Sequence, residues 1–95
     1  MIEILSFRLA PDADPAAFAQ ADRRVQTEFA SHQPGLLRRT TARGPHGDWI
    51  VIDLWRSEAD ADACDARWGQ DQVTAAFMSF LDPASTSTRR YATLG

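Results

Sequence analysis

Asp53 is a candidate for acid–base chemistry, because it lies inside the apolar run from Trp49 to Trp55. An ionised carboxylate among apolar neighbours is costly unless a cation pairs with it. Arg8, on the first predicted strand, is the expected partner. Two interpretations follow: an ion pair that holds strands or subunits in register, or a catalytic base. Buried paired charges are common outside active sites, which favours the ion pair, and no catalytic residue is assigned.

Aromatic side chains are the second chemical feature. They recur at the spacing of amphipathic helices and of an alternating strand, which is typical of a hydrophobic core. Gly69 interrupts the second helical region, so that two segments can diverge and open a cleft. Two interpretations follow: core packing, which the helical spacing favours, or a pocket for a small apolar or aromatic molecule between helices and sheet. The predicted lining of that pocket is Phe7, Phe18, Phe29, Trp68 and Phe77.

The residues that commonly ligate metals are scattered. His46 lies in a glycine-rich loop with only Asp48 nearby, and a metal site needs three or four donors. His32 follows the first helix, where a cation suits the helix dipole. Cys64 is alone and is interpreted as a small buried helix residue. No nucleophile elbow, phosphate loop or dinucleotide fingerprint is present, so we predict neither metal nor cofactor.

Composition limits the class of protein. The chain has 95 residues and a net charge of -3, which suits one domain spanning 1–95. All ten basic residues are arginines, and none of them clusters beyond a pair, which argues against nucleic-acid binding. No segment reaches the ~20 apolar residues of a membrane span. The sequence predicts a soluble, cytoplasmic protein.

The element order positions these residues. Periodicity and turn signals predict strand, helix, strand, strand, helix, strand. The second and third strands form a hairpin around Gly44–Asp48, and Asp14-Pro15 and Ser57 begin the helices. This order predicts an α+β, ferredoxin-like βαββαβ fold, in which a four-stranded antiparallel sheet carries its helices on one face.

The third strand is apolar on both faces. Ile50, Ile52 and Leu54 point one way, whereas Trp49, Val51, Asp53 and Trp55 point the other. A chain of this length has enough helix to cover only one face, so a second copy is expected to cover the other. We predict a homodimer whose interface includes Arg8, Trp49, Asp53 and Trp55, on a face shared with Ile4, Val51 and Tyr91.

Three features resemble the antibiotic biosynthesis monooxygenase-like domains of the dimeric α+β barrel superfamily. They are Asp53-Leu54-Trp55-Arg56-Ser57-Glu58, Pro34-Gly35-Leu36 at the start of the second strand, and the element order. The resemblance implies a homodimeric barrel with one pocket per subunit. It also implies oxygenation of an easily ionised aromatic, polyketide-like molecule without metal or flavin. The alternative is a non-catalytic small-molecule-binding or structural homodimer.

Haem degradation, another activity of the superfamily, is disfavoured. Such relatives use a histidine and a tryptophan of the second helical region and an asparagine on the first strand. Trp68 matches the tryptophan, but this chain contains no asparagine, and both histidines precede the third strand.

Overall fold

A computed structural model describes all residues, Met1–Gly95, as one α+β fold. The strands are β1 (Ile2–Arg8), β2 (Leu36–Arg43), β3 (Asp48–Trp55) and β4 (Ser87–Tyr91). The helices are α1 (Pro15–Arg24), α2 (Glu58–Trp68) and α3 (Gln72–Ser79). The strands pair antiparallel in the order β2-β3-β1-β4. The predicted ferredoxin-like fold is confirmed.

Side-chain caps fix where the helices begin. The Asp14 carboxylate accepts a hydrogen bond from the Ala16 amide at 3.1 Å, and Ser57 Oγ accepts one from the Asp60 amide at 3.1 Å. Asp71 caps α3 through the Val73 amide at 2.7 Å. Each cap satisfies a backbone donor that has no partner within its helix.

The first helix does not continue as a regular α-helix beyond Arg24. After Arg24 the chain makes a π-helical turn over Val25–Phe29 and a 3-10 turn over Ala30–His32. This change of winding buries Val25, Phe29 and Ala30 against the rest of the protein. Turns of π-helix are often found at functional sites.

Two clusters of buried residues form the core between sheet and helices. The first contains Phe7, Phe18, Val25, Val51, Phe77 and Leu81, and the second contains Phe29, Trp55, Ala61 and Cys64. Trp68 packs against both clusters. The end of α2 is tied to α3 because the buried Thr74 hydroxyl donates to the Trp68 carbonyl.

The predicted assignment of Trp49, Val51, Asp53 and Trp55 to the open face of the sheet is wrong. The ring centroids of Trp49 and Phe18 are 5.0 Å apart, and Val51 and Trp55 are buried beneath the helices. Alternation grouped these four residues correctly, but it does not say which group the helices cover. The helices cover the bulkier set, which contains the two tryptophans.

The predicted Arg8–Asp53 ion pair is also wrong. Arg8 is exposed on the opposite face, and its Nη2 donates to the His46 carbonyl at 2.6 Å. Asp53 instead lies opposite Glu3 on β1 and Arg39 on β2.

The open face of the sheet is aliphatic at its centre. Cross-strand register groups Ile2, Ile4, Ile50, Ile52 and Leu54 there, and each of these residues is half-buried. Ile4 and Tyr91 lie on this face, as predicted. None of the helices is both long and apolar enough to cross a bilayer.

Candidate functional site

A cavity of about 410 Å³ lies between the sheet and the helices. Its size is within the range of small-molecule sites. The sheet contributes Glu3, Leu5, Leu36, Arg39, Val51, Asp53, Trp55 and Thr88. The helical side contributes Phe29, Ala30, Cys64, Asp65, Trp68, Phe77 and Met78. Most of this wall is apolar, and the polar groups come mainly from neighbouring strands.

Three of the five predicted pocket residues line this cavity, namely Phe29, Trp68 and Phe77. Trp68 stands edge-on between the other two, with ring centroids 5.4 Å from Phe29 and 5.8 Å from Phe77. Phe7 and Phe18 do not line it, because they pack behind Phe77 in the core, with ring centroids 5.9 Å and 5.3 Å from it. The cavity therefore has an aromatic wall supported by a second aromatic layer.

Asp53 contributes a largely buried carboxyl group to the wall. Burial raises the pKa of its carboxyl to about 6, an effect that the Arg39 cation opposes and that the carboxylates of Glu3 and Asp65 reinforce. Its Oδ1 atom is buried and has no hydrogen-bond partner. A carboxyl group with such a pKa exchanges protons readily near neutral pH.

Trp55 follows Asp53 on the same face of β3, one strand repeat away, and also lines the cavity. Its side chain is buried, and its indole Nε1 has no hydrogen-bond partner. Buried polar groups are nearly always hydrogen-bonded, so two such exceptions in one cavity wall require an explanation.

Arg39 is the cation of this wall, and its side chain is only 5% exposed. Asp22 of α1 anchors it, since Arg39 Nη2 donates to Asp22 Oδ1 at 2.8 Å. Thr41 Oγ1 donates to the same oxygen at 2.7 Å. The guanidinium also lies over the Phe77 ring, 5.7 Å from its centroid.

A second arginine holds α2 over the cavity. Arg90 of β4 donates to Glu3 at 2.7 Å, to Asp62 at 2.6 Å and to Asp65 at 2.9 Å. Glu3 and Asp65 themselves line the cavity. Cys64, between Asp62 and Asp65 on α2, is buried, and burial raises the pKa of its thiol to about 11. The thiol is therefore protonated and weakly nucleophilic.

Neither histidine contributes to the cavity. His32 lies at the end of the 3-10 turn after α1, beside a shallower polar crevice, and His46 is exposed in the β2–β3 hairpin. No group of three or more histidine, cysteine, aspartate or glutamate side chains is arranged to hold a metal ion.

Solved structures with the same fold include three informative neighbours. SnoaB, a cofactor-independent oxygenase from Streptomyces nogalater, matches with a TM-score of 0.80 and 18% identity over 99% of this chain and 92% of its own. An antibiotic biosynthesis monooxygenase matches with a TM-score of 0.67 and 13% identity over 100% of both chains. At3g17210 from Arabidopsis thaliana matches with a TM-score of 0.79 and 9% identity over 99% of this chain and 95% of its own.

These likenesses establish the fold. The resemblance to antibiotic biosynthesis monooxygenase-like domains is confirmed as a likeness of structure over nearly the whole chain. No family model matches the sequence, and no curated protein matches it either.

Proposed function

We propose that the cavity binds a small, planar, hydroxylated aromatic molecule and promotes its oxygenation by molecular oxygen without metal or flavin. One observation carries this proposal: Asp53 and Trp55 each hold a buried polar atom without a partner in a wall that is otherwise largely aromatic and apolar. A ligand can supply an acceptor for the indole N–H and a hydroxyl for the carboxylate. Both buried groups then form hydrogen bonds, which removes the free-energy cost of leaving them without partners. The fold shared with SnoaB supports the oxygenase interpretation.

Asp53 is the proposed proton acceptor. As a carboxylate it removes the phenolic proton from the aromatic tautomer of the substrate, and the negative charge spreads to the ring carbon that is the methylene in the keto tautomer. This carbanion gives its electrons to oxygen and forms a carbon–oxygen bond, and the peroxide anion takes the proton back from Asp53. The hydroperoxide then loses water, as its O–O bond and the remaining C–H bond at that carbon break, and leaves a ketone. One oxygen atom enters the product and the other leaves as water, so that the substrate supplies all the electrons. The chain contributes deprotonation, orientation and exclusion of water.

Oxygen consumption tests the enzymatic part. The purified protein is incubated under air with a panel of hydroxylated polycyclic methylene compounds, and oxygen uptake and ketone formation are measured. We expect uptake that matches product formation and that falls by about 100-fold in Asp53→Asn, which has the shape but not the basicity of the carboxylate. No turnover across the panel would remove this part of the proposal.

The alternative is a non-catalytic module that holds a metabolite in the same cavity. A helix–sheet interface packed solid would favour a purely structural module, whereas this interface contains a cavity with a titratable carboxyl group in its wall. Native mass spectrometry of protein from its own host distinguishes the oxygenase from the non-catalytic binding module. A retained aromatic molecule that the protein does not convert would support the binding module.

We further propose that the protein is a homodimer in which the open faces of two sheets pack together. The aliphatic centre formed by Ile2, Ile4, Ile50, Ile52 and Leu54 supports this arrangement. Contiguous apolar surface of this kind is typical of interfaces. Of the residues predicted for the interface, only Arg8 lies on this face.

A further inference from the structure

We propose that Arg39 is the specificity-determining residue of the cavity and that the bound ligand is an aromatic oxyanion, either a phenolate or a carboxylate. This inference rests on the proposed function, since it concerns the same cavity. It goes further by naming the charge of the bound ligand and the residue that selects it.

The anchoring of Arg39 leaves most of its hydrogen-bonding capacity unused. A guanidinium has five N–H donors, and Arg39 uses one of them, to Asp22. Thr41 Oγ1 donates a hydrogen bond to the same oxygen of Asp22. The side chain is therefore fixed along one edge, while its remaining donors have no partner in the protein.

Asp53 does not neutralise this cation by direct contact. The two residues are cross-strand partners, yet they form neither an ion pair nor a hydrogen bond. Arg39 is the only basic residue that lines the cavity. The two other carboxylates of the wall, Glu3 and Asp65, are both bound by Arg90. Arg39 thus presents a buried positive charge with free donors beside a largely apolar space.

An oxyanion fits this arrangement better than a neutral group. Charge-assisted hydrogen bonds from arginine to an oxyanion are about twice as strong as neutral ones, and planar ligands suit the guanidinium fork. The Phe77 ring beneath the guanidinium extends the planar surface. The apolar remainder of the wall selects for an aromatic body.

The proton balance of binding follows from the groups around Asp53. These are Glu3 on β1, Arg39 on β2, Cys64 and Asp65 on α2, and Arg90 on β4, which holds Glu3. An anion bound at Arg39 disfavours a second negative charge at Asp53, so the complex holds Asp53 as the neutral acid. A phenol delivers that proton itself, whereas a carboxylate ligand draws it from solvent.

Isothermal titration calorimetry with two isosteric probes tests the inference. The probes are 2-naphthoate, which is an anion, and 2-naphthamide, which is neutral. Arg39→Gln removes the cation, and Arg43→Gln is the matched control, because Arg43 lies on the same strand but is exposed, outside the cavity, against Trp49. If the loss of Asp22's partner unfolds the single variant, the Asp22→Asn/Arg39→Gln double variant removes both charges.

We expect Arg39→Gln to weaken 2-naphthoate binding at least about tenfold and to change 2-naphthamide binding less than about threefold. Arg43→Gln should change neither. A titration of 6-cyano-2-naphthol on either side of its own ionisation then shows whether a phenolate or a carboxylate is preferred.

Equal binding of 2-naphthoate by wild type and Arg39→Gln would overturn the role of Arg39 while leaving the cavity as an aromatic site. Wild-type protein that binds none of the three probes at millimolar concentration would overturn the proposed function as well. The two failures are therefore distinguishable.

Discussion

Arg39 and Asp53 face each other across the β2–β3 pair, yet the arginine donates its hydrogen bond to Asp22 of α1. Asp53 is left with a nearby cation but no contact that satisfies Oδ1. Burial dominates its ionisation, and the opposing effect of Arg39 is smaller, which is why the pKa of this carboxyl lies at about 6. The Arg39 cation and the titratable Asp53 carboxyl group therefore lie close together without forming an ion pair.

Removing the Arg39 cation should raise the pKa of Asp53 above 6. Because an opposite charge nearby favours the ionised carboxylate, we expect an increase on the order of one unit in Arg39→Gln. The measurement is a carbon-13 titration of the Asp53 carboxyl by NMR. Arg43→Gln should leave the pKa of Asp53 unchanged, and a similar increase in that control would argue against the assigned cause.

Replacing Asp53 with asparagine should raise the free energy of unfolding, relative to wild type, more at alkaline pH than at acid pH. Burial raises the carboxyl pKa from its ordinary 3.8 to about 6. Between these values the folded state binds more protons than the unfolded state, so this group's contribution to the free energy of unfolding falls as pH rises. From about pH 4.5 to about pH 8, Asp53→Asn should gain about 2 kcal/mol over wild type.

Urea denaturation of both proteins at the two pH values measures this difference. The comparison cancels the titration of the other carboxylates, which the two proteins share. A difference that is independent of pH would mean that Asp53 has an ordinary pKa in the folded protein.

The fold was predictable from the sequence because its signals are local. The Asp14-Pro15 and Ser57 caps, the Gly44–Asp48 hairpin and the alternating strands each specify one element, and the element order then limits the topology. The face of the sheet that the helices cover was not predictable in this way. Alternation groups Trp49, Val51, Asp53 and Trp55, but side-chain volume and tertiary packing decide where that group lies.

Periodicity counted from the start of β2 does not place Arg39 at the cavity. The register shifts between Leu36 and Arg38, so that Leu37 is extra and 61% exposed, and Leu36 and Arg39 both reach the cavity. In a regular strand, positions three apart lie on opposite faces. The bulge therefore brings Leu36 and Arg39 to the same face, whereas a period of two counted from Leu36 would separate them. No residue type in Leu36–Arg43 indicates the bulge.

Replacing Arg90 with methionine should loosen α2. The variant removes the cation shared by Glu3, Asp62 and Asp65 and leaves those carboxylates to repel one another. We expect faster amide hydrogen exchange in Glu58–Trp68, and a smaller effect at high salt because screening weakens the repulsion. Arg56→Met, which breaks the exposed pair with Asp60, is the control and should change exchange little.

Cys64 should react slowly with alkylating reagents, and a cavity ligand should slow it further. The thiol is buried and its pKa is raised to about 11, so little thiolate exists at neutral pH. Iodoacetamide labelling followed by mass spectrometry, with and without saturating 2-naphthoate, measures both effects. Labelling in urea provides the unprotected rate. A native rate equal to that rate would contradict the burial of the thiol.

Replacing Ile52 with arginine should prevent dimer formation while leaving each subunit folded. Ile52 lies at the centre of the open face, opposite Ile4 on β1 and Thr40 on β2, and a buried charge without a partner is costly at an interface. Sedimentation equilibrium at micromolar concentration is the measurement.

Leu37→Arg is the control, because Leu37 lies at the bulge of the edge strand β2 and is already exposed. We expect a monomer for Ile52→Arg and a dimer for Leu37→Arg and wild type. If the wild-type protein sediments as a monomer, the open face is exposed to water and the proposed packing of two sheets is excluded. The proposal for the cavity would stand, because the cavity lies on the other face of the sheet.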